Sequence, residues 1–347
     1  MLPERCPDCE PITDSAADVS RRRFLKTAAA TAAIAALPRS IIADDAKPAP
    51  ENLVKKLFES LSPAQKSEIC FDWDHKDDRG LLRTHVSNNW SITDVALNVG
   101  GKFFTSDQQG MIEALFWGLY SPEWHDRLRK QLQDDAGGYG KAQTIAMFGN
   151  PGSDKFEFVM TGRHLTIRCD GNSTEHVAFG GPIFYGHAAK DFNEPADHAG
   201  NVYWHQALKA NGLFKMLDGK QRDTALIATA PHESKVGFRA KGEAIPGLPV
   251  GELSADQKSH AQEVLKTLLE PYRTADQDEV RKCLDAHGGL DACRLAFYKS
   301  GDLGNDGVWD NWRLEGPTFV WHFRGTPHVH VWVNVADDPT LPINAKG

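Results

Sequence analysis

Between Gln143 and Tyr185 the chain carries short runs rich in β-branched, aromatic and Met residues: Thr144 to Gly149, Lys155 to Gly162, His164 to Asp170 and Ser173 to Phe179. Asn150-Pro151-Gly152, Gly162-Arg163 and Asp170-Gly171-Asn172 separate them, and all are turn formers. None of these connections can hold a crossover helix, so neighbouring strands must run antiparallel, as a meander. The same period returns at Val308 to Leu314, Thr318 to Arg324 and Val329 to Val335. The pattern predicts an α+β fold: a central antiparallel β-sheet, made of the meander and the C-terminal strands, flanked by helices in a single large domain.

The remaining segments read as helix. Four phrases place a capping side chain three residues before a Gln: Ser62/Gln65, Thr105/Gln108, Asp218/Gln221 and Ser254/Gln257. In each, the cap accepts from the Gln backbone and the Gln side chain returns a bond, which starts a helix. Their spacing is too uneven for a solenoid. Helices are expected over about Asp197 to Phe214, Lys220 to Ala228 and Ala255 to Arg273.

Ser20-Arg21-Arg22-Arg23-Phe24-Leu25-Lys26 fits a twin-arginine export signal at every position. An Ala-rich stretch from Thr27 to Leu37 and a cleavage site at Ile41-Ile42-Ala43 follow. The apolar stretch is shorter than the roughly 20 residues that a membrane span requires. The expected layout is a signal over 1–43, a linker over 44–51, the globular domain over 52–340 and a tail over 341–347. Such a chain is bacterial and uses the twin-arginine machinery to reach the periplasm or the exterior, with no membrane span in its mature part. The route carries folded chains, often with a cofactor already inserted. The net charge of -8, from 39 Lys and Arg against 47 Asp and Glu, argues against nonspecific nucleic-acid binding.

Cys6 and Cys9 precede the signal, leaving Cys70, Cys169, Cys283 and Cys293 for an oxidising compartment. Cys283 and Cys293 flank a Gly-rich turn, and either a local bridge or two free thiols fits their spacing. Glycine-rich phosphate loops, the GxSxG elbow, HExxH and EF-hand loops are all missing from the sequence.

Histidine carries the useful signal. In Pro327-His328-Val329-His330-Val331-Trp332 a strand would project His328, His330 and Trp332 from one face and the valines from the other. Two imidazoles so placed suit copper, iron or zinc, although a pair of half-buried strand histidines fits the same pattern. A third ligand would come from His164, at the start of a neighbouring strand. Arg163, His187 and Glu315 would lie nearby as substrate or supporting groups, and Arg163 and Arg324, each beside a histidine, suit an anion. His75, His85 and His205 read as structural. A three-histidine centre with an open position would serve a metal-dependent redox enzyme or hydrolase acting on a small-molecule substrate. The alternative is a non-enzymatic binding protein whose cleft is walled by Trp90, Trp321 and Trp332, or a protein in which the histidines merely pack.

The sequence also resembles DUF3500, a widespread bacterial family of exported proteins, from about Leu53 to Pro339. The resemblance rests on Met147 to Pro151, Thr161-Gly162-Arg163-His164-Leu165, Phe179 to Gly186, Leu217 to Arg222, Leu253 to Lys258, Glu315-Gly316-Pro317 and Pro327 to His330. The family's usual Gly-His-His-Leu is Gly162-Arg163-His164-Leu165 here, so Arg163 replaces one histidine and the weight falls on His164. The resemblance implies the location of the site and supplies no reaction.

Overall fold

A computed structural model describes residues 49–153, 155–171, 177–190 and 200–347. The export signal and most of the expected linker lie outside the described residues. Its last two positions, Pro50 and Glu51, open the first helix. Eight helices occur among the described residues: α1 Pro50–Ser60, α2 Pro63–Ile69, α3 Ser106–Gly118, α4 His125–Ala136, α5 Trp204–Met216, α6 Gly219–Ala225, α7 Ala255–Leu269 and α8 Thr274–Ala286. All four capping boxes form, at the starts of α2, α3, α6 and α7.

The boxes are also joined in pairs. Gln65 Nε2 donates to Gln108 Oε1 at 2.8 Å, and Gln221 Nε2 donates to Gln257 Oε1 at 3.0 Å. Each Gln therefore closes its own helix start and clasps a second one, which is why these residues are buried or nearly so.

The main sheet has eleven strands: β1 Cys70–Phe71, β2 Thr144–Asn150, β3 Lys155–Gly162, β4 Leu165–Cys169, β5 Ile183–His187, β6 Leu226–Ile227, β7 Leu248–Pro249, β8 Arg294–Tyr298, β9 Asn311–Gly316, β10 Phe319–Arg324 and β11 Val329–Val335. They lie in the order β1-β2-β3-β4-β5-β11-β10-β9-β8-β7, with β6 also on β8. The C-terminal strands thus complete the sheet that the meander begins, through the antiparallel pair β5 and β11. Only the short strands β1 and β6 pair in parallel within it, with β2 and β8 respectively.

Two strand expectations are corrected. Of Ser173 to Phe179, the residues before Val177 lie outside the description, Val177 makes a lone bridge to Ala336, and Ala178–Gly180 form a 3-10 turn. Phe179 at φ 61° and Gly180 at φ 78° are left-handed, which a strand cannot accommodate. The fourth meander strand is β5, inside the stretch whose glycines suggested only a close approach. Strand β8 was not anticipated, and β9 starts at Asn311 rather than Val308.

Alternation sets the two faces. Val329, Val331, Val333 and Val335 of β11 join the large core beneath the helices, together with Tyr185, Trp321 and Phe323. On the other face Phe184, Val320 and Trp332 pack under Val86, Val236, Phe238 and Ile343, and Ala146, Phe148 and Val159 pack under Leu82, Ile92, Trp73 and Trp90. Helices thus cover one face and extended segments the other. The residues expected as a tail belong to that cover, because Asn344–Ala345 pair with His85–Val86. All four described cysteines are free thiols. No local bridge links Cys283 and Cys293: the Cys293 Sγ points back to Gly289 O, and Cys283 interacts with the Ala178 backbone.

Candidate metal centre

The strand period that separates the β11 valines from His330 delivers that imidazole to the face away from the helices. Directly opposite in register on β5 is Gly186. A Cβ there would sit 2.3 Å from Val329 O and 3.4 Å from His164 Cγ, so only glycine admits the His164 ring. His164 occupies the two-residue turn between the paired Gly162 and Leu165. Its φ of 52° is left-handed, which costs a non-glycine residue about 1 kcal/mol. Its backbone N–H donates to Asn88 O at 3.2 Å, helping to fix the turn.

The three imidazoles converge. His328 Nε2 lies 2.9 Å from His330 Nε2, which lies 3.2 Å from His164 Nε2, and all three rings are buried. Among the described residues these form the one group of three possible ligands whose donor atoms all lie within 4.8 Å of one another. With metal–nitrogen bonds of about 2.0–2.1 Å, nitrogens about 2.9–3.4 Å apart subtend angles between octahedral and tetrahedral.

The other ring nitrogens face carboxylates. His330 Nδ1 is 3.1 Å and 3.3 Å from the two Glu233 oxygens, and Arg324 Nη1 donates to Glu233 Oε1 at 3.0 Å. His164 Nδ1 is 3.0 Å from Asp135 Oδ2, close but misaligned for a direct hydrogen bond. Asp135 is itself held by Gln131 Nε2 and the Ala188 N–H. A carboxylate at Nδ1 fixes the proton there and aims the Nε2 lone pair into the cluster. Burial first, and then the charges of Arg324, His164 and Arg163, push the proton affinity of His330 well below the ordinary imidazole range. Neutral imidazoles with facing lone pairs repel one another unless a proton or a cation lies between them.

Of the other expected site residues, Arg163 is buried and adds to the positive field at His330. His187, one residue beyond Gly186, points to the opposite face, with Nδ1 accepting from Val202 N–H at 3.0 Å and Nε2 2.9 Å from Asp134 Oδ2. Glu315 lies on β9, two strands from β11, bound by Arg239 Nε at 2.6 Å and Arg313 Nη1 at 3.5 Å. His85 packs edge-on against Trp90 and is pushed down to about 4, chiefly by burial. His75 packs beside Phe71, and His205 meets Glu270. Trp321 and Trp332 lie on opposite faces of the sheet and Trp90 is in a third cluster, so the three do not wall one cleft.

Two supporting residues escaped the sequence reading. Glu233 lies in a loop with no patterned signal. Asp134 and Asp135 did leave one, since they sit in the last turn of α4, where the helix dipole disfavours anions.

The sequence profile of the family described as "Protein of unknown function (DUF3500)" matches residues 48–337. A twin-arginine translocation pathway signal sequence matches residues 18–38, which marks the chain for export to the periplasm or the exterior. No curated protein and no solved structure matches. Among the described residues no helix is long and apolar enough to cross a membrane.

Proposed function

We propose that this chain, which belongs to the DUF3500 family, is an exported metalloprotein. In this reading His164, His328 and His330 hold one copper, iron or zinc ion and leave a coordination position for a small-molecule substrate. The observation that carries the reading is the convergence of buried Nε2 atoms at 2.9 Å and 3.2 Å while Glu233 occupies the far side of His330. Three neutral nitrogen donors with carboxylate support suit these borderline metals better than the hard ions calcium and magnesium.

The chain's own residues divide the work. His328 and His330 ride on a strand bonded on both sides, which holds them rigidly. Glu233 and Asp135 orient His330 and His164, and Arg163 adds positive charge that favours an anionic partner at the open position. His187 and Glu315 serve the fold. A copper or iron ion would make the site a redox centre, whereas zinc would supply Lewis acidity for hydrolysis.

Elemental analysis of natively exported protein tests this. The expected result is about one equivalent of a single transition metal per chain, lost in His328→Ala/His330→Ala. Protein purified without chelators that holds no stoichiometric metal in either form would sink the reading.

A further inference from the structure

The face that carries His330 also carries a set of hydrogen-bond donors larger than its set of acceptors. Register places Arg313 opposite His322, His322 opposite Trp332 and Arg324 opposite His330, so β9, β10 and β11 present one contiguous patch. Within it, Arg313 Nη2, Arg324 Nε, Arg324 Nη2 and Trp332 Nε1 are shielded from solvent and meet no acceptor in the protein. Arg313 is only 2% exposed and Trp332 fully buried.

The carboxylates in reach are already engaged. Glu315 takes Arg239 and Arg313, and Glu233 takes Arg324 and His330. His322 adds to the imbalance, because its Nδ1 accepts from Arg313 Nε at 3.1 Å and its proton must then sit on Nε2. Arg163, Arg239, Arg313 and Arg324 outnumber Glu233 and Glu315, and the histidines between them are uncharged. Buried donors are nearly always paired, and water could accept from them but would leave the surplus charge in place.

We propose that this patch binds a small carboxylate, the anionic group of the substrate, held by Arg313 and Arg324 beside the three-histidine centre. A guanidinium fork matches the planar, two-oxygen geometry of a carboxylate, and two such forks neutralise the surplus. The inference deepens the metal reading by naming the substrate class, and it rests on that reading only for what the neighbouring centre does.

Calorimetric titration of the exported protein with acetate, with sulfate as the comparison and ionic strength held constant, tests the proposal. Saturable one-to-one acetate binding is expected, with sulfate bound at least about tenfold more weakly. Arg324→Gln, at a partly exposed position that should fold, is expected to raise the acetate Kd at least about tenfold. Arg324→Lys keeps the charge without the fork and should fall between wild type and Arg324→Gln. Absence of saturable acetate binding by wild type, an acetate Kd unchanged in Arg324→Gln, or sulfate bound as tightly as acetate would each overturn the proposal. The same titration on His328→Ala/His330→Ala separates the two readings. Acetate binding that survives without metal upholds the patch independently, and a metal-loaded wild type that ignores acetate removes the patch while leaving the metal centre.

Discussion

Residues 50–187 and 204–335 build their halves of the molecule in the same order: a helix, a short capped helix, a two-residue strand, two more helices, the first of them capped, and a four-strand meander. The short strands β1 and β6 lie parallel to the first meander strand of their own half, and the last strands, β5 and β11, meet at the middle of the sheet. The halves differ in what they do with buried charge. In the first, Arg168 uses all three of its nitrogens, on Glu157 Oε1, Pro182 O and the carbonyls of Arg83 and His85. Glu157 is fully buried, and its other oxygen accepts from Arg83 Nη1 at 3.1 Å while that guanidinium lies over Trp73. In the second, Arg313 and Arg324 each leave shielded nitrogens unused. One scaffold thus carries a network that holds the fold and another that holds something besides the fold.

The sharpest way to break this division is to remove the central carboxylate of each network. Glu157→Gln should destabilise the protein by about 3–5 kcal/mol, because two guanidinium groups stay buried without their counter-charge. Denaturant unfolding measures the loss, and the metal content of the folded fraction should be unchanged. Glu233→Gln should instead weaken metal binding by about 10–100-fold in chelator competition, with a smaller effect on unfolding. If Glu157→Gln strips the metal and Glu233→Gln does not, the assignment of roles is reversed.

A third test addresses the contact between halves. Glu279 of α8 accepts from the Phe179 N–H at 3.0 Å. Burial, followed by the Asp170 and Asp276 carboxylates, raises it to about 7, against the opposing pull of Phe179 N–H and Arg273. The folded state then holds a proton that the unfolded chain releases above its ordinary carboxylate range. Stability from this group is full below that range and declines as pH rises towards 7. Glu279→Gln should flatten the decline and exceed wild type at pH 8 by about 1 kcal/mol, read from melting curves at pH 5 and pH 8. A variant that melts below wild type at pH 8 would contradict the sign.

The smallest effect is expected at Gly110 of α3, whose counterpart after the α7 cap is Ser259. A Cβ at Gly110 meets nothing within 4 Å. Gly110→Ala should therefore stabilise the first half by about 0.5–1 kcal/mol in denaturant unfolding.

The meander, the capped helix starts and the two faces of β11 were legible because each follows from a local rule: turn chemistry, capping or period-two alternation. The repeat was not, because its most telling elements, β1 and β6, are two residues long and exist only through pairing with β2 and β8. Strand β5 was hidden by glycines that a strand normally avoids, and Gly186 is there because His164 needs the space. The metal candidates His164, His328 and His330 were readable from alternation and from a histidine opening a strand. Glu233 was not, since a loop carboxylate that reaches a ligand leaves no periodic trace. Asp135 was partly readable, as an anion at the wrong end of a helix.

The ligand cluster joins residues far apart in the chain, with His164 and His330 166 positions from each other. Contacts of such long range form late in folding, after the loop-closure entropy of both halves has been overcome. Occupancy of the centre would therefore report that the β5–β11 seam has closed, and would add a ligand-dependent increment to the unfolding free energy. For a chain exported by a route that carries folded proteins, loading the site would double as proof of assembly before departure.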